Sequence, residues 1–373
     1  MFDSSLPYLV LAHNYTAAYH WYIFIVVLAA FFYCLHNEIE VSGSSQVKIT
    51  MGQHILALCV VIPLIGIFSF FPIDWGTYAD REAYMMSFHN LEEYTTRNFI
   101  WLFILQTIHA FVDNQIVYFA ILSMIYVGFR YVACCNFSPT HKFILFLTIA
   151  SSFLFFSYGY NTIRSGVASS LLLMAFSMFH KDKMSRAVAM VMMFLSYGIH
   201  QSMALPACAF LMAQFVKNTK ALIVCWGLAF FVSLFVGSVI SEFLGDFVAE
   251  NAYEQAGNYI TTVEQSQYNR GFRIDFILYS ALPIALGYYY IVRKGVSDAV
   301  YIVLFHTYII ANIFFVLVVR ANYVDRFGYL SWMLIPLIIM YPLMTTKIFE
   351  KQNVVIAFTL LLNVMFTMMM FLR

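Results

Sequence analysis

The sequence predicts an all-α fold, a polytopic membrane helix bundle of about twelve transmembrane helices joined by short loops, with two longer loops on one face. Three observations predict it. Hydrophobic residues make up 62% of the chain and charged residues 10%, and mean hydropathy is +0.79, whereas soluble domains carry about 25% charged residues. The apolar residues come in blocks close to the ~20 that a helix needs to cross ~30 Å of hydrocarbon, and these recur from Trp21 to Leu372. The weak two-residue alternation of a membrane barrel is absent.

In chain order the blocks predict helices over 18–36, 52–71, 115–131, 142–158, 165–180 and 186–199, then over 201–216, 221–240, 274–293, 299–319, 327–344 and 354–371. No basic residue precedes Lys48, so the first helix is expected to stay in the mature protein. The run 99–112 reaches only ~21 Å at 1.5 Å per residue and is placed in the outer interface. The helices over 186–199 and 201–216 are also short, which puts their shared tip, His200, below the outer surface. The two long connections, 72–98 and 241–273, exceed the dozen residues above which loops tend to be functional. No repeat, low-complexity tract or soluble domain interrupts the chain, so residues 1–373 read as a single transmembrane domain.

Charge orients the bundle. With the N-terminus outside, all nine lysines fall on the inner side, together with Arg130, Arg186 and Arg293, as the positive-inside rule requires. The basic residues left outside are all arginines: Arg81, Arg97, Arg164, Arg270, Arg273, Arg320, Arg326 and Arg373. Arg81, Arg97 and Arg373 read as interfacial anchors or partners of nearby acids. The net charge of +1 gives no reason to expect nucleic acid. The six cysteines show neither a disulfide framework nor metal-ligand spacing. No P-loop, G-x-S-x-G, H-E-x-x-H or paired C-x-x-C motif is present.

Several outer residues have the chemistry of a site. Arg164, in Asn161-Thr-Ile-Arg-Ser-Gly, stands where an outer turn becomes a descending helix, so its guanidinium and the helix's free N–H groups can hold a phosphate together. The alternative is an arginine bonded to loop carbonyls. Arg320 and Arg326 flank Tyr323 and Asp325 between two helices; two guanidiniums at that spacing can fork around a pyrophosphate, unless Asp325 neutralises Arg326. Arg270 and Arg273 repeat the theme, with Asp275 as a competing partner. His200 can take a proton from a hydroxyl near neutral pH, or it can simply close a hydrogen bond at a helix break. Asp74 and Tyr78 suit sugar binding, with Asp74 equally suited to cap the next helix. Trp75, Tyr78 and Tyr84 also fit an interfacial aromatic belt.

Taken in order, these elements resemble the EpsG-like branch of the bacterial Wzy polysaccharide polymerases. The resemblance rests on Asp74 with Tyr78, Arg164 followed by Ala168 at a helix start, His200 with Ser202 and Ala204, and the segment from Arg320 to Tyr323. Where many members have glutamine after the helix-start arginine, this chain has Ser165. The resemblance implies a membrane glycosyltransferase of the GT-C type in the bacterial inner membrane. It would polymerise undecaprenyl-pyrophosphate-linked oligosaccharide units into O-antigen or exopolysaccharide at the periplasmic face by inverting transfer. His200, Arg164 and Arg320 would be catalytic, and Asp74, Tyr78, Arg270, Arg273, Tyr323 and Arg326 would bind substrate. It implies no cofactor and no metal, with the lipid-linked oligosaccharide as donor and acceptor, membrane lipid as surroundings and a chain-length regulator as a further partner. An O-antigen ligase shares the donor chemistry. A flippase for the same lipid would need polar residues through the membrane depth, whereas here the charges gather at one face.

Overall fold

The computed structural model describes residues 6–37, 51–73, 79–92, 94–251, 272–321 and 324–372. They are helical with short connections, and the chain divides into two compact units. The first comprises Met1–Ala204 and Leu343–Arg373, the second Leu205–Pro342.

In the first unit, α1 (Leu6–His36) lies antiparallel to the last helix, α16 (Gln352–Leu372). His20 stacks on Phe371 with centroids 4.2 Å apart, Phe31 sits edge-on to Phe358, and the Asn353 amide donates to the Cys34 carbonyl at 3.1 Å. Beside them stand α2 (Met51–Ser69) and α5 (Gln115–Phe137). The helices α8 (Ile163–Met178) and α9 (Lys183–Ile199) form a hairpin through Lys181 and Asp182. Two of its glycines let neighbouring helices approach it closely. At Gly166 an added Cβ would meet the Tyr158 carbonyl oxygen, and at Gly198 it would meet Ile100 and Phe99.

A single helix is expected over 142–158. Instead α6 (Lys142–Ala150) and α7 (Phe153–Tyr160) meet at a 71° bend over Ser151 and Ser152. A break inside a membrane frees carbonyls that water cannot satisfy, and three side chains take them. Tyr19 donates to Ala150 O at 2.6 Å, Asn363 to Thr148 O at 2.9 Å and Thr367 to Ser151 O at 2.8 Å.

Two helices cover one end of this unit. The connection 72–98 contains α3 (Ala79–His89), and α4 (Phe99–Phe111) follows it. Residues 81, 84, 85 and 88 of α3 fall at helical spacing on one side; Arg81 and Phe88 are fully buried, Tyr84 and Met85 half-buried. Phe88 stacks on Tyr118 of α5 at 4.4 Å and edges His109 of α4 at 5.2 Å.

The second unit contains α10 (Ala204–Ala213), α11 (Thr219–Asn251) and α12 (Ile274–Tyr288), the last continued by a π-helical turn over Tyr289–Arg293. It also contains α13 (Ala299–Leu317), α14 (Val324–Trp332) and α15, Ile335–Thr345, which carries the chain into the first unit. A polar knot fastens its centre. The Asn312 amide donates to Ser280 and Ser331 hydroxyls at 3.1 and 2.9 Å and accepts from the Trp226 indole at 2.7 Å, while the Trp332 indole donates to Ser280 at 2.8 Å.

Among the described residues six helices are long and apolar enough to cross a membrane, seven if the bent α6–α7 pair is one span, against the twelve expected. Part of the difference comes from shorter apolar helices: 163–178 and 201–213 fall below the length of a full crossing. The second long connection is also shorter than expected, because α11 continues to Asn251 rather than stopping near 240.

Candidate functional site

The arginine end of the first unit is built by α3, α4, α5, α8 and the tip of α9. The Ser196 hydroxyl of α9 donates to the Ala168 carbonyl of α8 at 2.7 Å. Arg164 lies one turn before Ala168 and His200 one turn after Ser196, so in this antiparallel hairpin both stand at the same end. The lysines of the hairpin lie at the opposite end: Lys181 reaches Asn136 Oδ1, near the end of α5, at 2.6 Å.

Arg164 occupies the first turn of α8, whose N-cap residue, Thr162, makes no side-chain capping bond. The Tyr84 phenol of α3 lies beside this helix start, within electrostatic reach of Arg164. Burial pushes the Tyr84 phenol up to about 12, and the Arg164 charge beside it acts in the opposite direction. The Arg164 guanidinium is half-buried and its Nε has no partner. Among the described residues no carboxylate is within ion-pair distance of it.

His200 ends α9 and starts a 3₁₀ turn over Gln201–Met203. Its Nδ1 accepts from the Ser202 backbone N–H at 3.3 Å, which in a neutral ring leaves the proton on Nε2. The lone pair needed by a base therefore sits on Nδ1, the nitrogen already used for capping. The next residue ties this tip to α4: Gln201 N–H donates to Asn98 Oδ1 at 3.1 Å and the Gln201 amide to the Arg97 carbonyl at 3.4 Å.

Arg81 is the residue that sequence reading misplaced. An interfacial anchor keeps its charged head in water, but Arg81 is 1% exposed. One nitrogen donates to the Phe68 carbonyl at 2.9 Å, and the guanidinium lies 3.8 Å from the Phe119 ring centroid. Its Nε and Nη1 have no partner, and burial lowers its pKa from the ordinary range to about 9, so it stays charged at neutral pH. The signal was its place in the apolar stripe of α3. Arg130 was placed at the inner surface and is instead 2% exposed within α5, because that helix continues to Phe137. It is satisfied there: Nε and Nη2 donate to Ser170 and Ser169 hydroxyls at 3.1 and 2.7 Å, and Tyr126 and Tyr158 offer ring faces.

In the second unit Arg273 is neutralised by Asp275, with bonds of 2.9 and 2.6 Å to its two oxygens, and lies 3.7 Å over the Phe276 ring. Arg320 is half-buried, donates to the Leu234 carbonyl at 3.4 Å and lies 5.3 Å from the Phe272 ring. Arg326 is half-buried in the first turn of α14 and has a partner. Asp74, Tyr78, Arg270 and Tyr323 lie outside the described residues. Among the described residues no group of three or more His, Cys, Asp or Glu could hold a metal ion.

These features define a multi-pass helical membrane protein with a cationic end in its first unit. The EpsG family model matches residues 54–373, and the chain belongs to the EpsG family. No curated protein and no solved structure matches the chain.

Proposed function

We propose that this protein is a membrane glycosyltransferase of exopolysaccharide or O-antigen synthesis, joining oligosaccharide units carried on a polyprenyl pyrophosphate. The observation that carries the reading is Arg164: a guanidinium at a helix head, with an unpartnered Nε and no ion-paired carboxylate, at the same end of α8–α9 as His200. Family membership supports it.

A hydroxyl at the non-reducing end of one lipid-linked unit attacks the anomeric carbon of the growing glycan. A new C–O bond forms, the bond from that carbon to the pyrophosphate oxygen breaks, and the configuration inverts. The departing polyprenyl pyrophosphate gains negative charge, which Arg164 and the head of α8 stabilise more strongly than they do the bound ester. The hydroxyl proton passes to His200, once the hydroxyl displaces the long Ser202 contact on Nδ1 or the ring moves its own proton from Nε2 to Nδ1. Arg320 of the second unit, held by a carbonyl and an aromatic face among the bonds described for it, is a separate candidate for binding phosphate. The pyrophosphate ester is itself the activated bond, so the step draws on no nucleotide. Lysines at the far end of the α8–α9 hairpin support an inner-membrane orientation with the Arg164 end in the periplasm.

The test is to incubate the purified full chain with the lipid-linked repeat unit isolated from cells that make this protein, without an energy source. A ladder of longer glycans on polyprenyl pyrophosphate is expected. Its absence with that substrate would remove the polymerase reading, and transfer onto a lipid A core instead would make the protein a ligase.

A further inference from the structure

Arg81 carries a charge that the described protein does not answer. A cation taken out of water costs several kcal/mol unless it is paired, and buried donors are nearly always satisfied. Here Nε and Nη1 of Arg81 are both buried without a partner, and no carboxylate among the described residues forms an ion pair with it. Arg130 shows what a satisfied buried arginine looks like in the same unit, with two serine hydroxyls brought to it.

Other unpartnered polar atoms occur on the helices around Arg81. The Tyr118 hydroxyl is also buried and unpartnered, and it lies within electrostatic reach of Arg81, Arg164, Tyr84 and Tyr94 together. Arg164 Nε and the Trp101 indole N–H are unpartnered as well, and Trp101 meets the edge of Tyr84 at 5.6 Å. Five orphaned donor atoms, two of them on one buried guanidinium, thus belong to side chains of α3, α4, α5 and α8. A hydroxyl or water would satisfy single donors. Two guanidiniums with a phenol match the several oxygens and the charge of a phosphate group.

We propose that α3 and the helices beneath it enclose a site for a phosphate-class anion, with Arg81 and Tyr118 as its buried ligands and Arg164 at its edge. Resting on the polymerase reading, the ligand is the pyrophosphate of the lipid carrier. A phospholipid headgroup offers the same phosphate chemistry and is separated by the test below. Arg81 binds this group and takes no part in proton transfer. Access requires α3 to shift, since its stripe of Arg81, Tyr84, Met85 and Phe88 closes the site.

The experiment measures binding of labelled inorganic pyrophosphate to the full chain in phosphatidylcholine nanodiscs, without any acceptor. Saturable binding is expected for the wild type, weakened at least about tenfold in Arg81→Gln and about three- to tenfold in Tyr118→Phe. A melting curve checks that each variant is folded. Tyr118→Phe keeps the ring stacked on Phe88 and removes only the hydroxyl, so it decides the matter if Arg81→Gln does not fold. No saturable binding by the wild type, or unchanged affinity in a folded variant of either residue, overturns the proposal. Polyprenyl pyrophosphate should displace the label more readily than added phosphatidylglycerol does; the reverse order overturns the assignment to the carrier. Binding that depends on Arg81 without a glycan ladder would sink the polymerase reading and leave the site. A ladder indifferent to Arg81→Gln would do the opposite.

Discussion

Arg273 in the second unit and Arg164 with Arg81 in the first show two fates for an arginine in a membrane protein. Arg273 meets a carboxylate two residues away, both of whose oxygens it binds. Its charge is spent locally, and it has no need of a ligand. Arg81 and Arg164 meet carbonyls, rings and phenols, and keep unpartnered nitrogens. Both kinds occur among the arginines that the charge pattern of the sequence assigns to one side. The presence or absence of a carboxylate within reach, rather than the arginine itself, separates an internally neutralised charge from an anion site.

Substitutions can break or sharpen that contrast. The largest effect is expected at His200→Asn, which keeps a side chain able to cap the turn and to hydrogen-bond but cannot take a proton. Glycan elongation should fall by about 10²–10⁴, read from the ladder assay; wild-type elongation would leave His200 as a cap and nothing more. Arg164→Gln should reduce elongation by about 10²–10³, and Arg164→Lys should recover little of it, because an ammonium does not reproduce a guanidinium fork. Pyrophosphate affinity should also depend on pH. Burial holds the Arg81 pKa down to about 9, so the wild type's advantage in affinity over Arg81→Gln, in which the ligand's own ionisation cancels, should shrink as pH rises through that value. An advantage that does not change through it would remove Arg81 from the site. Gly198→Val should cost about 1–3 kcal/mol of stability by forcing a side chain into Ile100 and Phe99, seen as a lower melting temperature. The smallest effect belongs to the other region: Arg273→Gln should change elongation by less than about threefold, since a partly exposed pair contributes at most about 1 kcal/mol.

Much of the helical layout could be read from the sequence, because apolar blocks and their breaks are local. The end of α9 at Ile199 and the tip at His200 fall where the sequence places them. Span number was less legible, since an apolar run of 16 residues such as α8 looks like a crossing without being long enough for one. The bend at Ser151 was hidden because its cost is met by Tyr19, Asn363 and Thr367, residues up to 216 positions away. At the site, Arg164 was found from its place at a helix start. Arg81 was legible in principle, at the position of an apolar residue in the stripe it shares with Tyr84, Met85 and Phe88. It was passed over because an arginine near a membrane surface is ordinarily an anchor. What sequence could not show is that two of its nitrogens stay unpaired, a fact set by what the surrounding helices do not bring to it.

The contrast between the two kinds of arginine is tested most directly by a density map of the full chain bound to polyprenyl pyrophosphate. Pyrophosphate density is expected beneath α3, within hydrogen-bonding distance of Arg81 and Arg164, with the Arg273–Asp275 pair intact and unliganded. Density on Arg273, with Asp275 displaced and Arg81 still unpartnered, would contradict the account.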